Sequence, residues 1–174
     1  MNIPAGSLTI GGLFVGMAIP TWHLARFAVA HVKKPDHILR GAKDLIPLAV
    51  GVGYGGLATA ATSGLIGFTT GAITWLGNGA GSLAMWGATG GETTLAARSN
   101  AAQLTGEGNL VLLLLTVIIL ACWKVVPSKS KPQLRWGIFS GVLLGLSATL
   151  GGWFAALVIP AVNTWGANLV GSIA

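Results

Sequence analysis

The stretch GNLVLLLLTVIILACW, residues 108–123, runs directly into KVVPSKSKPQLR, residues 124–135, and the two together decide the class of this protein. The first carries no charged side chain in 16 residues, whereas the second carries four cations in 12. An apolar run of roughly 20 residues crosses a bilayer as a helix, and Lys and Arg concentrate in short cytoplasmic loops. The pair therefore predicts a transmembrane helix that ends in a basic cytoplasmic turn.

The composition of the whole chain agrees with this prediction. Only 8% of the 174 residues are charged and 53% are hydrophobic, with a mean hydropathy of +0.75. Soluble domains have about 25% charged residues, so a water-soluble globule is excluded. The single cysteine, Cys122, excludes an intramolecular disulfide framework and a multi-cysteine metal site.

The basic residues fall in two windows that fix the predicted topology. Nine of the ten lie there, namely Arg26, Lys33, Lys34, Arg40 and Lys43, and then Lys124, Lys129, Lys131 and Arg135. The positive-inside rule places both windows in the cytoplasm. We therefore predict four transmembrane helices, at about 7–29, 45–74, 107–125 and 136–160, with both termini and residues 77–106 outside. An alternative puts two crossings between residues 45 and 91, which would place the two basic windows on opposite sides.

The second half of the chain resembles the first at an offset of 90 residues. Residues 74–84 and 164–174 share T-W-x-x-N-x-x-G-S-[LI]-A, and Lys34 aligns with Lys124. Such self-similarity indicates a duplication. The predicted fold is an all-α membrane protein of four transmembrane helices, arranged as two parallel helix–basic turn–helix repeats. The first repeat covers residues 1–84, an outer linker covers 85–105, and the second repeat covers 106–174.

Two pairs of glycines are candidate helix-packing residues. Gly51 with Gly55, and Gly141 with Gly145, have the small-xxx-small spacing that lets helix backbones approach closely in lipid. Packing within one chain and packing between copies are both compatible with this pattern.

No catalytic constellation accompanies these features. No HExxH, GxSxG or phosphate-loop motif occurs, and the acidic residues fall in loops or at helix ends, so we predict no enzyme and no metal site. His23 and Arg26 lie one helical turn apart near the inner end of the first predicted helix, where long side chains snorkel to the headgroups. The basic windows can act as topology signals, contact anionic lipid, or contact nucleic acid non-specifically through its phosphates.

The order of incoming helix, basic turn, glycine-rich outgoing helix and outward termini resembles the pilins of conjugative type IV secretion systems, the F-pilus and T-pilus family. This chain carries the unit twice. The resemblance implies a subunit that waits in the inner membrane and is extracted into an extracellular filament together with phospholipid. It also implies turn positions, facing the lumen or lipid headgroups, for Lys33, Lys34, Arg40, Lys43, Lys124, Lys129, Lys131 and Arg135.

The leading functional prediction is therefore a structural, self-assembling subunit of a pilus or transfer conduit in the inner membrane. Its expected partners are copies of itself, phospholipid and a secretion-system assembly complex, with nucleic acid only as non-specific cargo. The alternatives are a small multi-pass transporter or channel module with a path at the repeat interface, and a plasmid-spread membrane protein.

Overall fold

The computed structural model describes residues 7–31, 42–61, 63–97 and 103–173, and this part of the chain is helical apart from its connections. Six helices follow one another in it: α1 (Ile10–His31), α2 (Ile46–Ala58), α3 (Gly64–Thr89), α4 (Gly106–Cys122), α5 (Lys131–Gly145) and α6 (Leu150–Ile173). A short 3-10 turn, Ala42–Leu45, precedes α2, and α6 contains a π-helical turn over Phe154–Val158. The predicted all-α class is confirmed for these residues.

Two helical stretches are long and apolar enough to cross a bilayer, Ile10–Ala30 in α1 and Leu150–Ile173, which is α6. α4 is apolar but has only 17 residues. The bounds of α1 and α4 agree within three residues with the first and third predicted helices.

The second and fourth predicted helices are each divided, which corrects the predictions of single helices at 45–74 and 136–160. α2 ends at Ala58 and α3 begins at Gly64, while α5 ends at Gly145 and α6 begins at Leu150. In each break a hydroxyl donates to a carbonyl of the preceding turn, Thr59 Oγ1 to Gly56 O and Ser147 Oγ to Leu144 O, both at 2.6 Å. Such bonds compete with the helical hydrogen-bond ladder and favour a turn.

The region predicted as an outer linker contributes structure of its own. α3 continues to Thr89, and Gly90 caps it in the left-handed conformation with φ of 66°. Beyond the cap, the chain pairs with the start of α1, where Ile10 N donates to Thr94 O and Ala96 N donates to Leu8 O. The connection between the repeats is thus hydrogen-bonded to the first repeat.

Each half of the chain contains a hydrogen-bonded Thr–Asn pair among its described residues. Asn78 Oδ1 on α3 accepts from Thr9 N at 2.9 Å and from Thr9 Oγ1 at 3.0 Å. Asn163 Oδ1 on α6 accepts from Thr105 N at 3.0 Å and from Thr105 Oγ1 at 3.4 Å. Each threonine also caps its helix, because its hydroxyl accepts from the amide three residues later, in Gly12 or Gly108.

These pairs relate the two halves in a register different from the predicted offset of 90. Thr9 corresponds to Thr105, an offset of 96, and Asn78 corresponds to Asn163, an offset of 85. Gly81 lies against the backbone of Gly11, and Gly166 lies in the same way against the backbone of Glu107. Gly11 corresponds to Glu107 at the offset of 96, and Gly81 corresponds to Gly166 at the offset of 85. The halves are therefore structurally repeated, but Asn78 matches Asn163 and not Asn168.

Each buried apolar cluster combines residues from both halves. In the first cluster, Leu57 at the end of α2 packs with Leu104, which precedes α4. In the second cluster, Leu143 near the end of α5 and Leu146 just after it pack with Leu8, which precedes α1. Each buried cluster therefore needs residues from both halves, so the halves are not independently packed domains.

Candidate functional site

The four predicted helix-packing glycines lie at one contact between α2 and α5 inside the chain. A Cβ atom on Gly51 would lie 2.5 Å from the carbonyl oxygen of Leu134, and one on Gly55 would overlap the carbonyl oxygen of Ile138. From the other side, Gly141 lies against the backbone of Val52, and a Cβ atom on Gly145 would lie 2.9 Å from Gly56 Cα. The sequence left open whether these glycines pack within one chain or between copies, and this contact lies within the chain.

The contact between α2 and α5 is parallel. Gly51 lies beside Gly137, and Gly55 lies beside Gly141, so residue numbers rise together at an offset of 86. Both helices also carry a proline in the first turn, Pro47 and Pro132, a position where the missing N–H costs nothing. The N-terminal ends of α2 and α5 therefore lie at the same end of the molecule. Gly137 is a contact residue that the offset of 90 missed.

This geometry brings the described members of the two basic windows to that same end. Lys43 lies just before α2, while Lys124, Lys129, Lys131 and Arg135 lie just before α5 or in its first two turns. Lys33, Lys34 and Arg40 lie outside the described residues. We call the surface formed by Lys43 and residues 124–135 the basic end.

Trp123 organises the cations of the second window. The Lys131 Nζ atom lies 5.9 Å from its ring centroid, and the guanidinium carbon of Arg135 lies 5.0 Å from it. Both distances are within the range of cation–π attraction, which contributes roughly 0.5–1 kcal/mol at exposed sites. The contact links the turn after α4 to the start of α5.

A groove of about 530 Å³ lies between α1 and α5 and reaches the basic end. The two helices run antiparallel here, since Ser140 Oγ donates to Gly16 O at 2.6 Å while Arg26 and Trp136 line the groove further along. The lining residues are Phe14, Val15, Ala18, Ile19, Trp22, His23, Arg26, Pro132 and Trp136. The groove is thus apolar along most of its length and cationic at one end.

The repeat provides an internal comparison for this groove. In the α1/α4 register of 96 and the α2/α5 register of 86, the apolar lining positions Phe14, Val15 and Ile19 correspond to apolar residues, Leu110, Val111 and Leu115. The polar lining positions and the two tryptophans, in contrast, correspond to residues that are neither charged nor aromatic. Trp22, His23, Arg26 and Trp136 correspond to Ile118, Ile119, Cys122 and Val50.

The sequence pointed to some of these residues and not to others. The sequence places His23 and Arg26 as neighbours on one helix, but their position in one groove with Trp136 depends on the contact between α1 and α5. The threonines of the Thr–Asn pairs share a sequence signal, because L-T-x-x-G begins at both Leu8 and Leu104. Within the described ranges, no three His, Cys, Asp or Glu side chains form a group that could hold a metal ion.

No protein-family model, curated protein or solved structure matches this chain.

Proposed function

We propose that this chain is a membrane-embedded, non-enzymatic structural subunit that associates laterally with copies of itself in a pilus or transfer conduit. In this proposal the basic end faces the cytoplasm, as the positive-inside rule expects. The observation that carries the proposal is an exposed apolar stripe along α3.

The stripe follows α3 for most of its length at spacings of three or four residues. Its members are Leu65, Phe68, Ala72, Leu76, Gly79, Leu83 and Trp86. The five large side chains among them are 53 to 78% exposed, whereas the opposite face of α3 carries the buried Thr70, Thr74, Asn78 and Gly81. Alternation of three and four residues is the spacing of a helix–helix seam.

Small residues in the middle of the stripe favour a helix over lipid tails as its partner. Ala72 and Gly79 are exposed, and a Cβ atom on Gly79 would meet no other atom of the chain within 4 Å. In lipid, helices associate where small residues let backbones approach. A second copy would supply such a helix, because its own α3 carries the same stripe.

A channel or transporter module is supported less well. That alternative places a path at the interface of the two repeats. At the α2–α5 contact, which is one part of this interface in the described residues, Gly51 and Gly137 bring the backbones together and leave no room for a path. The close contact favours a structural role.

Disulfide crosslinking in native membranes tests the association. In a Cys122→Ser background, we expect Gly79→Cys to form crosslinked dimers on mild oxidation, because the stripes of two copies face each other. Ala84→Cys is the matched control, since Ala84 is exposed on the same helix but lies about 125° away from the centre of the stripe. Equal crosslinking at both positions, or none at Gly79→Cys, would contradict the proposal.

The pilus or conduit has its own test. Cells expressing the chain are sheared, and the pelleted extracellular fraction is examined by electron microscopy and mass spectrometry. Filaments composed of this chain support a pilus, and a large homomeric assembly retained in the membrane supports a conduit. A chain that purifies only as a monomer or dimer in mild detergent argues against both, although a dimer agrees with the α3 contact, which pairs two identical surfaces and closes at two copies.

A further inference from the structure

We propose that the groove between α1 and α5 binds an anionic phospholipid, with one acyl chain along its apolar part and the phosphate beside Arg26 and His23. This inference rests on the membrane location in the proposed function and is independent of self-association.

The length of the groove matches one leaflet of a bilayer. Its α1 wall runs from Phe14 to Arg26, a rise of roughly 18 Å for 12 residues of helix. Half of a hydrocarbon core of about 30 Å is about 15 Å. An acyl chain lying along this wall would span its leaflet and leave the lipid phosphate at the level of Arg26.

The volume and lining of the groove also suit a lipid chain. About 530 Å³ lies within the range of roughly 300–1,000 Å³ for sites that hold small molecules. Phe14, Val15 and Ile19 form an apolar wall, and the side chains of Phe14 and Trp22 are more than half exposed. The groove therefore opens towards the surroundings of the bundle, which in a membrane are lipid.

The charge at the cationic end of the groove selects an anionic headgroup. Arg26 contributes a guanidinium to the lining, His23 contributes an imidazole, and none of the lining residues is acidic. Guanidinium binds phosphate through paired N–H donors. Trp22 and Trp136 are also part of this end, and tryptophan side chains favour the level of the headgroups.

The internal repeat argues that this end is more than ordinary membrane-facing surface. The equivalent positions on α4 and α2 carry Ile118, Ile119, Cys122 and Val50, which provide no cation and no indole. Of the two equivalent helix pairs, α1 with α5 carries four residues suited to a headgroup and α4 with α2 carries none of them, while the apolar wall is apolar in both pairs.

Native mass spectrometry of the full chain in detergent tests the proposal, and purified protein avoids any effect of lost charge on membrane insertion. We expect one phosphatidylglycerol to bind more tightly than phosphatidylcholine. Arg26→Gln should weaken phosphatidylglycerol binding about fivefold, the effect of one cation at an anionic headgroup. Trp136→Val, which installs the residue of the equivalent position, should lower the occupancy of both lipids.

Two variants outside the groove are the matched controls. Lys124→Gln removes an exposed cation from the basic end, and Trp165→Val removes an exposed indole from α6. We expect each to change lipid binding by less than about twofold, because neither residue lines the groove. Equal effects of Lys124→Gln and Arg26→Gln, equal binding of the two lipids by the unaltered chain, or full binding by Trp136→Val would overturn the proposal.

Failure of this inference can be distinguished from failure of the proposed function. The lipid comparison on the unaltered chain needs no variant, so it decides the headgroup preference even if Arg26→Gln does not fold. Crosslinking through Gly79→Cys reports association on a different helix. Loss of lipid selectivity with crosslinking intact overturns only the groove, and the reverse result overturns only self-association.

Discussion

At the scale of single residues, Asn78 and Asn163 accept the same pair of hydrogen bonds from a threonine, but in different surroundings. Asn78 is 5% exposed and its partner Thr9 is 2% exposed, so the hydrogen bonds between them are buried. Asn163 is half-buried, and its bonds to Thr105 are exposed. A lost hydrogen bond costs most when its donor is left buried without a partner.

This difference gives a prediction that uses one substitution in two places. Asn78→Ala should lower the free energy of unfolding by about 2 kcal/mol, because the Thr9 amide and hydroxyl lose their acceptor in a buried site. Asn163→Ala should cost only about 1 kcal/mol, the net value of an ordinary hydrogen bond. Denaturant unfolding of both variants in one detergent makes the comparison, and an equal or larger loss for Asn163→Ala would contradict it.

At the scale of helices, α2 carries one glycine in close contact with α5 and, within one turn of it, another glycine in open space. Gly55 faces the backbone of α5 at Ile138 and Val142, whereas a Cβ atom on Gly53 would meet nothing within 4 Å. The two glycines therefore offer a matched test of close packing on the same helix.

Alanine should have opposite effects at the two positions. Gly55→Ala should lower the free energy of unfolding by about 2 kcal/mol, since the added methyl group pushes the two backbones apart. Gly53→Ala should raise it by about 0.5–1 kcal/mol, because alanine loses less backbone freedom than glycine in a helix. The measurement is unfolding of the monomeric fraction, so that association between copies does not contribute. A Gly55→Ala chain that unfolds like the original would show that the contact does not stabilise the chain.

The helices also show which features the sequence can predict. α1 and α4 were predicted nearly to their ends, because an apolar run bounded by charge is a local signal. The break at 59–63 was missed, since the residues around it are small and uncharged and the helix ends through the bond from Thr59 Oγ1 to Gly56 O. The basic end was predicted from charge alone. The groove was not predicted, because Arg26 and Trp136 are 110 residues apart in the chain and line one groove only through the packing of α1 on α5.

At the scale of the whole molecule, the two halves form one body with a common polarity. Leu57 packs with Leu104 across the halves, and Leu143 packs with Leu8 in the reverse sense. The parallel α2–α5 contact then holds Lys43 and Lys129 at the same end, whereas Thr94 bonds to the start of α1 at the opposite end from Arg26. The described members of the two basic windows therefore lie at one end of the molecule, as the predicted topology expects.

Cysteine labelling in cells tests this polarity without removing a charge. In a Cys122→Ser background, Ala42→Cys and Ser128→Cys place thiols next to Lys43 and Lys129, at exposed positions related by the offset of 86. We expect a membrane-impermeant maleimide to reach both only after the membrane is opened, because the positive-inside rule places the basic end in the cytoplasm. Thr94→Cys, exposed at the opposite end, should be labelled in intact cells. Labelling of Ala42→Cys and Ser128→Cys from opposite sides would contradict the parallel contact, since helices that pack side by side in parallel begin on the same side of the membrane.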